Sequence, residues 1–290
     1  MHKLIHVPQA TTRYVADVIG HIRAFTYITR ESIEKDQSKY INLKNKLLNL
    51  EKWEFEAHNP EIKLISQIPV DHNEKAECPR INKFLKDVVA KSDVELLCEI
   101  AGYCLTTDCS HQKAFMLYGR GSNGKSVFLA LLESLVGKAN TASESLQKLE
   151  HDKYRTTKLY GKRVNICGDI PDSKMEKTEI FKKLTSGIDS IDGENKYQDS
   201  FVFKNTAKLV FSANSLPEAK SDRAYYRRWQ LITFPNDFEG GTEDKSLIKK
   251  LQAPNELSGF LNLALDALKR LKQKGEFTNS KSIQETQREY

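Results

Sequence analysis

Gly119-Arg120-Gly121-Ser122-Asn123-Gly124-Lys125-Ser126 has the spacing G-x-x-x-x-G-K-[ST]. Residues of these types at these intervals suit the binding of phosphate groups. The glycines let successive backbone N–H groups turn inward around phosphate oxygens. A lysine placed just after them reaches the β and γ phosphates of a nucleoside triphosphate, and the next hydroxyl suits a Mg²⁺ ion. Such a loop works only between a strand and a helix. Phe115-Met116-Leu117-Tyr118 is an apolar run of strand type, and Val127 to Leu132 reads as the first turns of a buried helix. The N-terminus of that helix adds the positive end of its dipole to the same cradle. ATP and Mg²⁺ are therefore the expected cofactors, with Ser126 on the metal.

Two more polar residues stand where strands are expected to end. Arg163-Val164-Asn165-Ile166-Cys167-Gly168-Asp169 reads as a strand closing on a carboxylate, although Asn165 interrupts its apolar run. Ligands of open α/β sheets sit at the carboxyl ends of strands. Asp169 can there hold the magnesium shell or orient an attacking water. Asp172 follows three residues later and leaves the division between metal holder and base open. Ala207 to Ser212 reads as another strand and runs into Asn214. An amide there can hydrogen-bond a γ-phosphate or the attacking water; the alternative is a turn residue before Pro217.

These residues require a scaffold, and the apolar periodicity supplies one. Val15, Val18, Ile19, Ile22 and Phe25 form a helical stripe over Thr11 to Phe25, with Thr11 or Thr12 as its cap. Ser32 to Lys39 is polar and reads as a linker. Strand-like pieces follow at Tyr40-Ile41-Asn42-Leu43 and Leu48-Asn49-Leu50. Pro79 opens a helix with Ile81, Phe84, Leu85 and Val88 on one face. Ser92-Asp93-Val94-Glu95 has the pattern of a capping box and predicts a helix to about Leu105. Asn140 to Leu159 reads as helix with loops, and Glu176 to Thr185 as a charged helix. Ser190-Ile191 and Phe201-Val202-Phe203 flank a polar tip and read as a hairpin. Trp229 to Phe234 is a further strand. Beyond Asp244 the stripe Leu257, Phe260, Leu261, Ala264, Leu268 and Leu271 is helical. Alternating strands and helices predict an α/β fold with a mostly parallel sheet between helices. The expected division is a mainly helical N-terminal domain over 1–108, a P-loop ATPase core over 109–236 and lid-like helices over 237–290.

The chain has 290 residues, 39% apolar and 29% charged, which suits about two soluble domains. No apolar run approaches the roughly 18 residues of a membrane helix. The net charge of +6 favours a polyanionic partner only mildly, because opposite charges are interspersed. Five cysteines without a secretion signal predict reduced thiols and a cytoplasmic setting. Cys104, Cys109 and His111 lie close together, but their spacing matches no structural zinc pattern, and buried thiols are expected at Cys98 and Cys104.

The order Gly119–Ser126, Asp169, Lys183-Leu184-Thr185-Ser186-Gly187-Ile188-Asp189, Lys196, Ala213-Asn214-Ser215-Leu216-Pro217 and Arg227-Arg228 resembles a superfamily-three helicase. More narrowly, it resembles the helicase part of phage, plasmid and poxvirus primase-helicases. Tyr40-Ile41-Asn42-Leu43, Cys78-Pro79 and Gly102-Tyr103-Cys104-Leu105 resemble the helical domain that precedes that core. The resemblance implies an AAA+-like core and ATP-driven unwinding of single-stranded or forked DNA by a ring, as a hexamer, in replication of a mobile element. It also implies that Lys196 at the hairpin tip meets DNA phosphates, with Tyr197 available for stacking. Arg228, with Arg227 as the close alternative and Arg223 behind them, takes the place of an arginine finger acting on a neighbouring subunit's ATP. Two departures stand out. Too little chain precedes the phosphate loop for a primase catalytic domain, and the sequence stops before a winged-helix domain, as expected of a fragment or a compact relative. Rival readings are a replication initiator or scaffold that binds nucleotide without unwinding, and a protein-remodelling ATPase.

Overall fold

The computed structural model describes residues 11–171, 175, 177–194, 200–218, 222–238 and 246–290. The first helix, α1 (Thr12–Phe25), starts where the Thr11 hydroxyl accepts the Tyr14 N–H at 3.2 Å. Its apolar stripe is exposed along its whole length, and none of its residues is buried. The expected linker at Ser32–Lys39 is instead helical, within α2 (Arg30–Lys39). Its start signal lies upstream, at Thr29, which caps the Ser32 N–H, and Asp36 then ties the helix to the Lys63 N–H at 2.7 Å.

Three short strands, β1 (Tyr40–Asn42), β2 (Leu47–Asn49) and β3 (Glu54–Glu56), form an antiparallel sheet in that order. Helix α3 (Pro79–Val88) buries the expected face of Ile81, Phe84, Leu85 and Val88. Cys78 gives no side-chain cap, and a carboxylate from far down the chain does the work. Glu256 accepts the N–H groups of Arg80 and Ile81 at 3.3 and 3.1 Å. The capping box expected at Ser92 does not form. Lys91–Asp93 is a 3-10 turn, and α4 (Val94–Cys104) follows it with no side-chain cap.

The central part follows as β4 (Ala114–Tyr118), α5 (Lys125–Val136), β5 (Thr141–Ala142), α6 (Leu146–His151), α7 (Lys153–Thr157) and β6 (Val164–Cys167). Then come α8 (Glu179–Ser186), the hairpin β7 (Ser190–Gly193) and β8 (Phe201–Lys204), β9 (Lys208–Ala213), α9 (Arg223–Tyr226) and β10 (Trp229–Thr233). The chain closes with α10 (Leu247–Leu251), α11 (Pro254–Lys274) and α12 (Ile283–Glu289). The two-residue strand β5 lies inside a stretch expected to be helix and loop. It is too short to show alternation.

Five strands make a wholly parallel sheet in the order β10-β4-β9-β6-β5. Both faces are covered, so its strands read as continuous apolar runs. Phe115, Leu117, Val210 and Ile232 face one cluster with α4, α5 and α11. Ala114, Met116, Phe211 and Trp229 face a second with α8. Asn165 does not break its strand. Its buried amide donates to the Glu144 carbonyl and accepts the Glu144 N–H, at 2.9 and 2.8 Å, which fixes the start of α6 against the sheet. The first cluster runs from Ile41 to Phe277 and thus crosses positions 108 and 236. Helices α4 and α11 meet so closely at Gly102 that a Cβ there would collide with the Ala264 carbonyl. This is a P-loop ATPase type of core, with a helical N-terminal part packed against it.

Candidate nucleotide site

The phosphate loop occupies the turn between β4 and α5 that the sequence predicts. Gly119 and Gly124 have φ of 154° and 89°. A Cβ at Gly119 would meet the Phe234 carbonyl, and one at Gly124 would meet Val88 at 2.5 Å. The loop is therefore held from two sides, by the chain leaving β10 and by the last turn of α3. Ser122 also has a positive φ, 42°, and its carbonyl accepts the Phe238 N–H at 2.9 Å.

Lys125 is the first residue of α5, and its ammonium is surrounded by neutral oxygens. It donates to the Gly119 carbonyl at 2.6 Å, to Asn123 Oδ1 at 3.0 Å and to Asn214 Oδ1 at 3.3 Å. Burial lowers its pKa from the ordinary lysine value, and the charge of Asp169 pulls the other way. Asn123 is buried, and its amide donates to the Phe234 carbonyl at 3.2 Å. That bond makes Asn123 the strut that sets the lysine, a role its place among the variable loop positions does not announce.

Asp169 lies just past β6 with φ 49°, in the left-handed region. Its N–H donates to Ser212 Oγ at 3.2 Å, and the next N–H, of Ile170, donates to the Ser212 carbonyl at 3.0 Å. Ser212 on β9 therefore fixes the turn that presents the carboxylate. Only a cross-strand register could have revealed it. Asn214 lies one residue beyond β9. The sheet order β4-β9-β6 brings the loop, Asn214 and Asp169 side by side at one set of carboxyl ends. Arg120, Ser126, Asp169 and Asn214 are all exposed there. The donors suit a triphosphate: a buried ammonium among neutral oxygens, a helix N-terminus, and an exposed hydroxyl and carboxylate for a hard cation. Asp172 lies outside the described residues.

The arginines sit at the other end of the sheet. Trp229 pairs with Ala114 and Thr233 with Tyr118, so Arg227 and Arg228 flank the start of β4 while the loop flanks its end. Arg228 is only 7% exposed, and its guanidinium donates to the Ala224 carbonyl at 2.5 Å. Burial lowers its pKa, as does the neighbouring Arg227, against Asp189 and Asp222. Arg227 is exposed and donates to Gln112 Oε1 at 2.9 Å. Arg223 is exposed as well.

The hairpin pairs Ser190 with Lys204 and Gly193 with Phe201; Lys196 and Tyr197 lie outside the described residues. The end of the hairpin nearer its turn is docked on α7. The Thr157 hydroxyl accepts the Glu194 N–H at 3.0 Å, and Tyr160 packs edge-on against Phe201 and Phe203 at 5.3 and 5.5 Å. Tyr154 and Tyr160 thus meet the hairpin toward its turn, and Lys153 and Lys158 are exposed on the same short helix and its exit. Sequence reasoning passed over them because basic and aromatic residues at this density are common on solvated helices. Cys98 and Cys104 are buried on α4, and burial pushes each thiol up to about 12. No described helix is long and apolar enough to cross a membrane.

Two family models match parts of the chain. A D5 N terminal like family covers residues 5–90, and a family of unknown function, DUF5906, covers residues 117–228. A protein of Acanthamoeba polyphaga mimivirus with helicase in its name, L207/L206, is 28% identical over 76% of this chain and 24% of its own length. Another from Invertebrate iridescent virus 6, 184R, is 26% identical over 81% of this chain and 25% of its own. The chain thus spans about a quarter of the length of these curated relatives. Among solved structures, the apo C-terminal region of NrS-1 shares the fold with a TM-score of 0.52 and 16% identity, covering 74% of this chain and 54% of that one. In sequence, the chain resembles the superfamily-three-like helicase part of viral primase-helicases, and in fold it is similar to the C-terminal region of NrS-1.

Proposed function

We propose that the chain is the motor of an ATP-dependent DNA helicase, acting as a ring of head-to-tail copies, as a hexamer, in replication of a virus, plasmid or other mobile element. The observation that supports it most is the setting of Lys125. A buried ammonium held by three neutral oxygens, at the carboxyl ends of three adjacent parallel strands, suits exchange of those contacts for phosphate oxygens. Residues 119–126 cradle the triphosphate. Ser126 and Asp169 hold Mg²⁺, which when bound neutralises phosphate charge. Asp169 also orients the attacking water, and Asn214 hydrogen-bonds the γ-phosphate. An arginine acts from the next subunit. The exposed Arg227 suits that role better than the buried Arg228. It stands one strand length, about 16 Å, from its own loop, a separation that favours action on another copy's nucleotide. Lys196 and Tyr197 engage the DNA backbone and bases, and exposed Lys153, Tyr154 and Lys158, on the short helix that docks the turn-side end of the hairpin, extend that surface.

The test is subunit mixing. Lys125→Ala and Arg227→Ala should each hydrolyse ATP at least about 10³-fold more slowly than wild type. Their mixture should recover activity at interfaces that join an intact loop to an intact arginine. A mixture that stays inactive while both variants assemble rejects Arg227 and moves the role to Arg228 or Arg223. Loss of strand displacement with retained nucleotide binding and assembly would favour the scaffold reading. ATP turnover indifferent to single-stranded DNA would favour the protein-remodelling one.

A further inference from the structure

A polar cleft of about 430 Å³ opens beside β10, the edge strand of the sheet. Ser92, Asp93, Leu96, Leu231, Thr233 and Asn279 line it. Its volume falls within the range of small-ligand sites. The Gln230 amide donates to the Asn279 carbonyl at 3.1 Å, so the chain after α11 runs alongside the edge strand. Asn279 has φ 52°, in the left-handed region that asparagine adopts more readily than most residues. Its amide donates to the Ser92 carbonyl and to Asp93 Oδ1 at 2.8 and 2.6 Å, which leaves its own Oδ1 for an incoming donor.

The position of the cleft relative to the phosphate loop gives it a meaning. Asn214 and Asp169 flank the loop on the β9 and β6 side, where a terminal phosphate belongs. The nucleoside end of a bound nucleotide must therefore leave towards β10. Thr233 in the cleft wall immediately precedes Phe234, whose carbonyl is bonded to loop residue Asn123. Two strand spacings, about 10 Å, separate the outer side of β10 from β4. We infer that this cleft receives the base and ribose of a purine nucleotide, with Asp93 and Asn279 accepting from the base amino group or the ribose hydroxyls. The inference rests on the reading of residues 119–126 as a nucleotide site.

Binding of Mg-ATP, Mg-GTP and magnesium tripolyphosphate to the full chain, by calorimetry, separates the two claims. Tripolyphosphate fills the loop and has no base. Asp93→Ala and Asn279→Ala should weaken ATP or GTP by about ten- to hundredfold, the loss of one hydrogen bond to a charged or buried polar group, and leave tripolyphosphate affinity unchanged. Ser92→Trp, at an exposed position whose backbone contacts persist, should block the cleft and give the same pattern without disturbing the fold. The purine that loses more identifies the base. Unchanged purine nucleotide affinity in Ser92→Trp and Asp93→Ala overturns the cleft while the loop reading stands. Wild type that binds neither nucleotide nor tripolyphosphate overturns both.

Discussion

Glu256 is the residue whose loss should be felt furthest from where it sits. It lies on α11, is 6% exposed, and accepts two N–H groups at the start of α3, 175 and 176 positions earlier in the chain. Glu256→Ala removes both bonds, leaving the buried Ile81 N–H without a partner and the more exposed Arg80 N–H to water. Hydrogen bonds to a charged group contribute about 1.5–3 kcal/mol each, and an anion at a helix N-terminus adds up to about 1 kcal/mol. The 3.3 Å bond is long, so the lower end applies to it, and the expected loss is about 3–5 kcal/mol. Against a total of about 5–15 kcal/mol for a folded domain, that is a large fraction. Urea unfolding followed by circular dichroism should show a lower midpoint with an unchanged slope. Glu256→Gln keeps one acceptor oxygen and should lose about half as much. The far end of α3 packs Phe84 and Val88 over Gly124, so the Ala variant should also bind nucleotide more weakly. A loss below about 1 kcal/mol, or equal losses in the Ala and Gln variants, would refute the assignment of Glu256 as the cap of α3.

Gly102→Val should destabilise by more than about 3 kcal/mol and lower soluble yield, because the new side chain meets the backbone of α11 rather than a side chain that can move. Alkylation at pH 8, read by mass spectrometry, should spare Cys98 and Cys104 until the protein unfolds. With thiols pushed up to about 12, only about one in 10⁴ is ionised at that pH. Burial raises the Glu99 carboxyl above its ordinary value of 4.5, against two bonds from Thr278. A raised folded pKa means that its contribution is full below the unfolded value and is lost as pH rises through the folded one. Denaturant titrations of wild type and Glu99→Gln from pH 4 upward should therefore show the wild-type advantage shrinking as pH rises; a constant difference would rule out this linkage.

Local signals carried much of the core. Pro79 and the four-residue face after it placed α3, and the flanks of Gly119–Ser126 placed the phosphate loop, because helix starts and loop glycines depend on neighbours in sequence. Asp169 and Asn214 could be placed at strand ends, since the strands before them are apolar. What was not legible depends on distant partners. Ser32–Lys39 looks like a linker until Thr29 caps it and Asp36 finds Lys63. Asn165 looks like a strand breaker until Glu144 folds back onto it. Ser92-Asp93-Val94-Glu95 has the letters of a capping box, but the chain enters α4 through a 3-10 turn and the box geometry never arises. Arg227 and Arg228 are equivalent as letters, and only the direction of the chain entering β10 decides which is buried.

Phe277 lies past the end of α11, yet its ring sits edge-on to Tyr103, His111 and Phe115 at 5.1–5.5 Å. The next residue, Thr278, bonds Glu99 across a sequence separation of 179. During synthesis the helix carrying Glu99 and Tyr103 therefore emerges long before the ring and hydroxyl that complete its surroundings. Closing so long a loop costs entropy before any contact rewards it. The nascent chain must hold an unfinished aromatic cluster beside β4 for the time taken to add well over a hundred residues, several seconds to tens of seconds at about 5–20 residues per second. Over that interval the strand that feeds the phosphate loop has an open flank, and the chain is at its most exposed to misassembly.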